Sequence, residues 1–444
     1  VKIRVWVLIS VGILSVGVYF GVTRLGAMRA RDRAQRAIRI QDWRTVRNEL
    51  QSYLNVFPSD DSARLSLAEA YFKDARLNPE SAVSAAIQQL EYVRRESAFF
   101  SAARVQEARM CLFAWLQPHR AESLLREALA VDPENADAHF VLWKLHDLTG
   151  RSHLAQPHFQ KVLETTPDEQ RSFRLREWYM SQFYPATANP EIDQLMGFIE
   201  PGAIQNTVLE LRRLEAFRDR EPKAALNHAI VARWYSLEGD PKAALQLLQK
   251  ALDVADTPLQ EPFFVATLTQ VLFDLGEFDN ALRHYRAWPG DLTGYEYSRL
   301  GAILADEVER DYERAIRGYR EVIRVWPGQA DWRIQFRLAR CLAKAGDEGA
   351  AETMRQQAKQ VELLMEEEIH SPLRRMLANP DQLDICERMM QFTTTWGWRT
   401  KGSTGKIRSI AFSENVVIRI DHDQSEKQQF GPCETVRDVV AVPL

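Results

Sequence analysis

A repeat length constrains this chain more than any other feature. Pro133, in VDPEN, and Pro167, in TTPDE, lie 34 residues apart, and each closes a segment of helical pattern. Two helices of this size cannot hide their apolar faces alone, so a chain with this period folds as a row of like units that cover one another. Aligning on the prolines places Ala102, Ala121, Leu125, Ala128 and Pro133 in one unit. The next holds Ala136, Leu142, Ala155, Phe159, Val162 and Pro167, with Gly150 at the turn between its helices. Small residues recur where two helices of a pair would cross closely, and large apolar residues recur where pairs would stack.

The same register fits further along. Ala232, Tyr235, Gly239, Ala244, Leu248 and Ala251 form one unit, and Leu268, Leu272, Gly276, Phe278, Ala281 and Tyr285 another. Leu300, Gly301, Tyr312, Ala315, Tyr319, Val322 and Pro327 form a third, whose first helix or turn is about two residues too long for the 34-residue period. Leu338, Ala339, Leu342, Gly346, Ala351 and Ala358 form a fourth. Weaker copies lie at 42–60 and 62–97. Glycine ends a helix because it tolerates left-handed angles, and Pro241 suits a helix start.

These residues resemble the tetratricopeptide repeat family, whose pattern has a small residue in the first helix, a turn glycine, two small residues in the second helix and a closing proline. The resemblance implies an all-α solenoid, a superhelix of helical hairpins that binds proteins or peptides on its concave face. It covers 102–167 and 225–358 most clearly.

Between these blocks, 171–224 leaves the register and reads as an irregular helical joint. Trp178, Tyr179, Phe183 and Tyr184 crowd before Pro185. Helix is expected through Tyr179, over 191–198 and over 203–217. The aromatics fill a joint in one reading and anchor a partner in the other. The block and the order of parts also look faintly like membrane-anchored, repeat-rich bacterial proteins, some of which carry a β-propeller of the FG-GAP kind. That resemblance implies a bacterial envelope setting, although nothing long enough for a propeller follows here.

The chain opens with Val and then an uncharged run at 5–22, flanked by Lys2, Arg4 and Arg24. At 1.5 Å per residue the run reaches about 27 Å, which suits a bilayer core. A transmembrane anchor over 1–23 is therefore expected, with lipid contact through 5–22 and a single-pass membrane location. Arginines at 24, 29, 31, 33, 36 and 39 place the large domain on the cytoplasmic side by the positive-inside rule, whereas insertion as a signal anchor would place it outside. The stretch from Arg29 to Arg44 also fits the solvent side of a first soluble helix continuous with the span.

Units 24–170 and 225–401 form the two expected repeat blocks, the second ending in capping helices. Beyond Gly402 the stretches IRSIAF and NVVIRI alternate like strands, so 402–444 is expected to be a short tail of β character. An apolar share of 45% and a charged share of 27% fit a folded chain, and a net charge of −4 gives no argument for nucleic acid.

No catalytic centre, cofactor site or metal site is expected. GSTGKI at 402–407 lacks the first glycine and the Ser or Thr of a phosphate loop. Asp421, His422 and Asp423 alternate faces if extended. His139, His146, His153 and His158 show no metal-box spacing, and Cys111, Cys341, Cys386 and Cys433 are far apart. The expected function is thus a membrane-anchored, non-enzymatic scaffold. Its protein contacts lie at Arg109, His139, Trp143, His146 and Arg233 on the first helices, together with the aromatics at 178–184. The alternative is a structural or assembly factor of an envelope complex acting through self-association or hetero-assembly.

Overall fold

A computed structural model describes residues 2–167, 170–171, 174, 177–178, 207–365, 400–401 and 407–408, with side chains at 21–167, 170–171, 174, 177–178 and 211–363. The described helices are α1 (Lys2–Arg39), α2 (Trp43–Leu54), α3 (Asp61–Lys73), α4 (Pro79–Glu91), α5 (Phe100–Phe113), α6 (Pro118–Val131), α7 (Ala136–Leu148) and α8 (Ser152–Thr165). They continue as α9 (Thr207–Arg220), α10 (Ala225–Leu237), α11 (Pro241–Val254), α12 (Pro262–Asp274), α13 (Phe278–Arg286), α14 (Tyr295–Leu304), α15 (Tyr312–Val322), α16 (Trp332–Lys344) and α17 (Glu348–Met365). Apart from α9 they fall into helix pairs, and the chain divides into two compact units, Val1–Val141 and Leu142–Leu444.

Local chemistry sets the helix ends. Asp60, Asn78, Asp240, Asp311 and Asp331 each accept a hydrogen bond from a first-turn backbone N–H, and Pro79, Pro118, Pro241 and Pro262 open their helices. Small residues then let the helices of a pair approach. Ala121, Ala128, Ala244, Ala251, Ala281, Ala315 and Ala351 are all fully buried, where a larger side chain would force the pair apart.

The first unit begins with α1 as the first helix of a pair. Ala27, Ala30, Ala34 and Ala37 recur at three- and four-residue spacing and are buried with Val46, Leu50 and Tyr53. Arg33 forks onto Glu49 of α2 through Nε and Nη2, both at 2.7 Å. Arg31, paired with Asp60, and Arg33 thus lie on the polar side of a paired helix. The expected anchor over 5–22, its lipid contact and the single-pass location are corrected on the length and apolarity of the described helices. Among the described residues no helix is long and apolar enough to cross a membrane, and the side chains of 1–20 lie outside those described.

In the second unit, pairs α10–α11, α12–α13, α14–α15 and α16–α17 follow the expected register. Gly276 and Gly346 take φ of +78° and +88° between the helices of their pairs, as the reading of the turns required. The surplus in the third unit is a π-helical turn, Ala305–Glu309, which extends α14 before Arg310 turns the chain at φ +56°. Buried Ala302, Ile316, Tyr319, Leu338, Leu342 and Ala351 join α14 through α17 in one core.

Two expectations about the remaining segments are resolved only in part. The 203–217 helix appears as α9, whereas 179–206 lies outside the described residues. Beyond α17 the described residues are two strands of two residues, β1 (Thr400–Lys401) and β2 (Ile407–Arg408), paired antiparallel. β2 falls at the start of IRSIAF, and the remainder of that stretch and all of NVVIRI lie outside the described residues; the expected tail of β character is cut back to this two-residue pair, and apart from it the described fold is all-α. The rest of 402–444 lies outside the described residues, including Asp421–Asp423 and most of GSTGKI.

Candidate functional site

The first helices carry a polar network in the second unit. Arg233, on α10, donates from Nη1 to Oε1 of Glu296 on α14 at 2.8 Å. Arg299, one turn along α14, donates from Nε to Oε2 of the same carboxylate at 3.0 Å, and from Nη1 to Oε1 of Gln270 on α12 at 2.9 Å. Three successive first helices are thereby joined. Arg233 also lies over the Phe263 ring, 5.1 Å from its centroid. The Glu296 side chain is only 7% exposed. Burial by itself would raise its pKa, but Arg233 and Arg299 outweigh that cost and hold the carboxyl well below the usual range.

A second cluster follows one helix later. Asp306, on the π turn, accepts from the Tyr319 hydroxyl at 3.1 Å and from Arg340 of α16. Glu307 accepts from Arg337 at 2.7 Å and from Arg340 at 2.6 Å. Burial, aided by Asp306, pushes the Cys341 thiol up to about 12, which removes it as a thiolate nucleophile. The carboxylates of both clusters are engaged by guanidinium groups. Among the described residues no group of three or more His, Cys, Asp or Glu side chains could hold a metal.

The residues singled out from the sequence divide sharply. Arg109 is exposed on α5 and bonds Asp137 of α7 at 2.9 Å, which bridges successive first helices of the first unit. Arg233 sits in the network just described. Trp143 and Trp178 are fully buried instead. Trp143 donates from Nε1 to Asp147 at 2.7 Å and packs on Phe159 at 4.9 Å, while Trp178 stacks on Phe159 at 4.7 Å with 11° between planes. Lys144 and Glu177 form an ion pair of 3.4 Å beside them, with side chains 3% and 4% exposed. His146 is buried and stacked on His158. Tyr179, Phe183 and Tyr184 lie outside the described residues. Burial takes Trp143, Trp178 and His146 away from any contact surface, because their rings already have protein on both sides.

His139 has a different task. Its Nε2–H donates to the Pro133 carbonyl at 2.9 Å, six residues back. His228 does the same to Pro222 at 2.7 Å, and Gln335 to Gln329 at 2.9 Å. All three are the fourth residue of a first helix, and each clips the loop that enters its pair. Sequence reading missed this clip because the register was built on small and apolar positions. The same bias hid Glu296, Arg299 and Gln270, although charged residues inside apolar first helices were a usable signal.

Known proteins agree with the repeat. Tetratricopeptide repeat profiles match residues 302–356 and 228–262. No curated protein sequence matches significantly. Among solved structures, PilF of Pseudomonas aeruginosa is 19% identical, with 51% of this chain and 92% of that chain covered at a TM-score of 0.24. The Cut9 and Hcn1 hetero-tetramer of the APC/C gives 11% identity, 83% and 72% coverage and a TM-score of 0.35. A tetratricopeptide repeat protein from Parabacteroides merdae gives 12% identity, 66% and 99% coverage and a TM-score of 0.29. At such scores the functional reading rests on the repeat matches and the described helix pairs.

Proposed function

We infer, from an all-helical array of tetratricopeptide-type repeats, a family not associated with catalysis, that this protein is a non-enzymatic scaffold that holds other proteins or peptides on the face formed by its first helices. The observation that carries the reading is the chain of polar groups from Arg233 through Gln270 to Glu296 and Arg299 across three first helices. Side chains aligned this way offer donors and acceptors at repeating intervals along an extended partner. Arg109 with Asp137 offers the corresponding pair in the first unit.

The test is direct binding. The purified full chain is probed with a library of short peptides by fluorescence anisotropy, and hits are compared with Arg233→Ala and Arg109→Ala. Loss of binding in one variant, at unchanged helicity, supports the groove; hits that bind both variants as tightly as the wild type refute it.

A further inference from the structure

The carboxylates around α1 are unevenly placed. Ala27, Ala30, Ala34 and Ala37 mark the side that packs on α2, and the flanks are neutralised: Arg31 pairs with Asp60 at 3.3 Å and Arg33 with Glu49 at 2.7 Å. The side opposite the alanines carries Leu25, Arg29, Asp32, Arg36 and Arg39, at the steps of three and four residues that keep to one face of a helix. Among the described residues no carboxylate pairs with Arg24, Arg29, Arg36 or Arg39. Arg36 donates instead from Nε to the backbone carbonyl of Asp32 at 3.2 Å.

This open face is divided along its length. At one end Val22, Leu25 and Met28 are 64%, 62% and 47% exposed. Beyond Met28 the exposed positions turn cationic, through Arg29, Arg36 and Arg39. An exposed apolar patch rimmed by charge marks a contact surface, and guanidinium groups that the fold leaves without anions favour a partner that supplies carboxylates. A uniformly anionic partner fits less well, because Asp32 stands exposed among the arginines. A helix lying on lipid carries its cations opposite its apolar residues, whereas here the two share one face.

We propose that the outer face of α1 is a docking surface for an acidic amphipathic helix of another protein, whose apolar end covers Val22, Leu25 and Met28 and whose carboxylates pair with Arg29, Arg36 and Arg39. From Val22 to Arg39 the helix runs about 26 Å at 1.5 Å per residue, so the partner helix is about five turns long. The surface uses none of the residues that carry the peptide-binding reading above, and it stands or falls without that reading.

The full chain is titrated, by fluorescence anisotropy, with a labelled helical peptide of about 18 residues on an alanine and glutamine background. One face of this probe carries leucines at one end and glutamates at the other. It should bind the wild type, and Arg29→Glu/Arg36→Glu/Arg39→Glu and Leu25→Ser/Met28→Ser should each weaken it about tenfold at unchanged helicity. A second peptide, with lysines in place of the glutamates, should reverse the order and bind the triple variant about tenfold more tightly than the wild type. No binding to the wild type overturns the proposal, as does binding that either variant leaves unchanged or a lysine peptide that does not follow the reversed charge. A glutamate peptide without leucines that binds as tightly as the first also overturns it, since charge attraction alone would then account for the contact. Vesicles of phosphatidylserine and phosphatidylcholine form the other arm. If they bind the wild type, lose it in the triple variant and displace the peptide, the face is a lipid contact and the proposal fails.

Discussion

Glu296 is a buried carboxylate whose charge is held by two arginines, Arg233 and Arg299. Removing one member of a buried ion network leaves its partners without compensation, so Glu296→Gln should cost about 3 kcal/mol in urea unfolding. Because the folded carboxyl is held low by Arg233 and Arg299, its contribution is complete above the unfolded value of about 4.3 and is lost as pH falls below it. Glu296→Gln should flatten that acid limb. His153 has the opposite chemistry but the same acid-side sign. Burial presses its imidazole down to about 4, so the stability linked to its neutral form is present above about 6.5 and lost as pH falls from there toward 4. Melting His153→Gln at pH 7 and pH 5 should show a smaller difference than the wild type, and an equal difference would exclude His153 as the group responsible. Trp143, read as a contact residue, is a core residue, and Trp143→Ala should lower stability by about 3–5 kcal/mol. Arg109→Ala should change it by no more than about 0.5 kcal/mol, because its ion pair is exposed.

Turns separate the legible elements from the obscure ones. Where glycine ends the first helix, as at Gly276 and Gly346, the pair stood out in the sequence. Gln41, Leu116 and Arg310 do the same work at φ of +55°, +56° and +56°; a reading that looked for glycine saw a weaker unit at Gln41 and a surplus of two residues before Arg310, whereas the unit around Leu116 was legible from its small residues and closing proline. A side chain is strained in that conformation. Arg310→Gly should therefore raise stability by about 0.5–1 kcal/mol after the extra entropy of an unfolded glycine is deducted. No change in the thermal midpoint would mean that the π turn already relieves the strain. Gly328 presents the reverse case, since a Cβ there would stand 2.1 Å from the Val322 carbonyl oxygen. Gly328→Ala should cost about 1–3 kcal/mol by forcing the loop before α16 off its core, which denaturant unfolding would measure.

At the scale of the molecule, each unit has a core of its own. Leu50, 3% exposed, belongs to the cluster that joins α1, α2 and α3. Leu50→Ala should cost about 2–5 kcal/mol and speed hydrogen exchange across 27–70 while leaving 302–351 at wild-type rates, since coupling in an array weakens beyond neighbouring pairs. Uniform acceleration over the whole chain would show that the units unfold as one. The same neighbour rule explains the reach of the sequence reading. Pairs α5–α6 and α7–α8 and the four pairs from α10 to α17 were recognisable because the contacts between the helices of each pair lie within about one repeat length, and local contacts leave a periodic trace.

The sequence by itself determined the helical pairs, their register and the small residues at their crossings, because these depend on interactions within some 34 residues of chain. Only the tertiary structure decided that Trp143 and Trp178 are buried, that Glu296 gathers arginines from two helices, and that α8 meets Trp326. Each of those outcomes depends on residues brought together from distant parts of the chain, and one-dimensional spacing carries no record of such meetings. The N-terminal run shows the same division. Its composition suited a bilayer, whereas the helix that continues from it takes its described partners from α2, a choice made by packing.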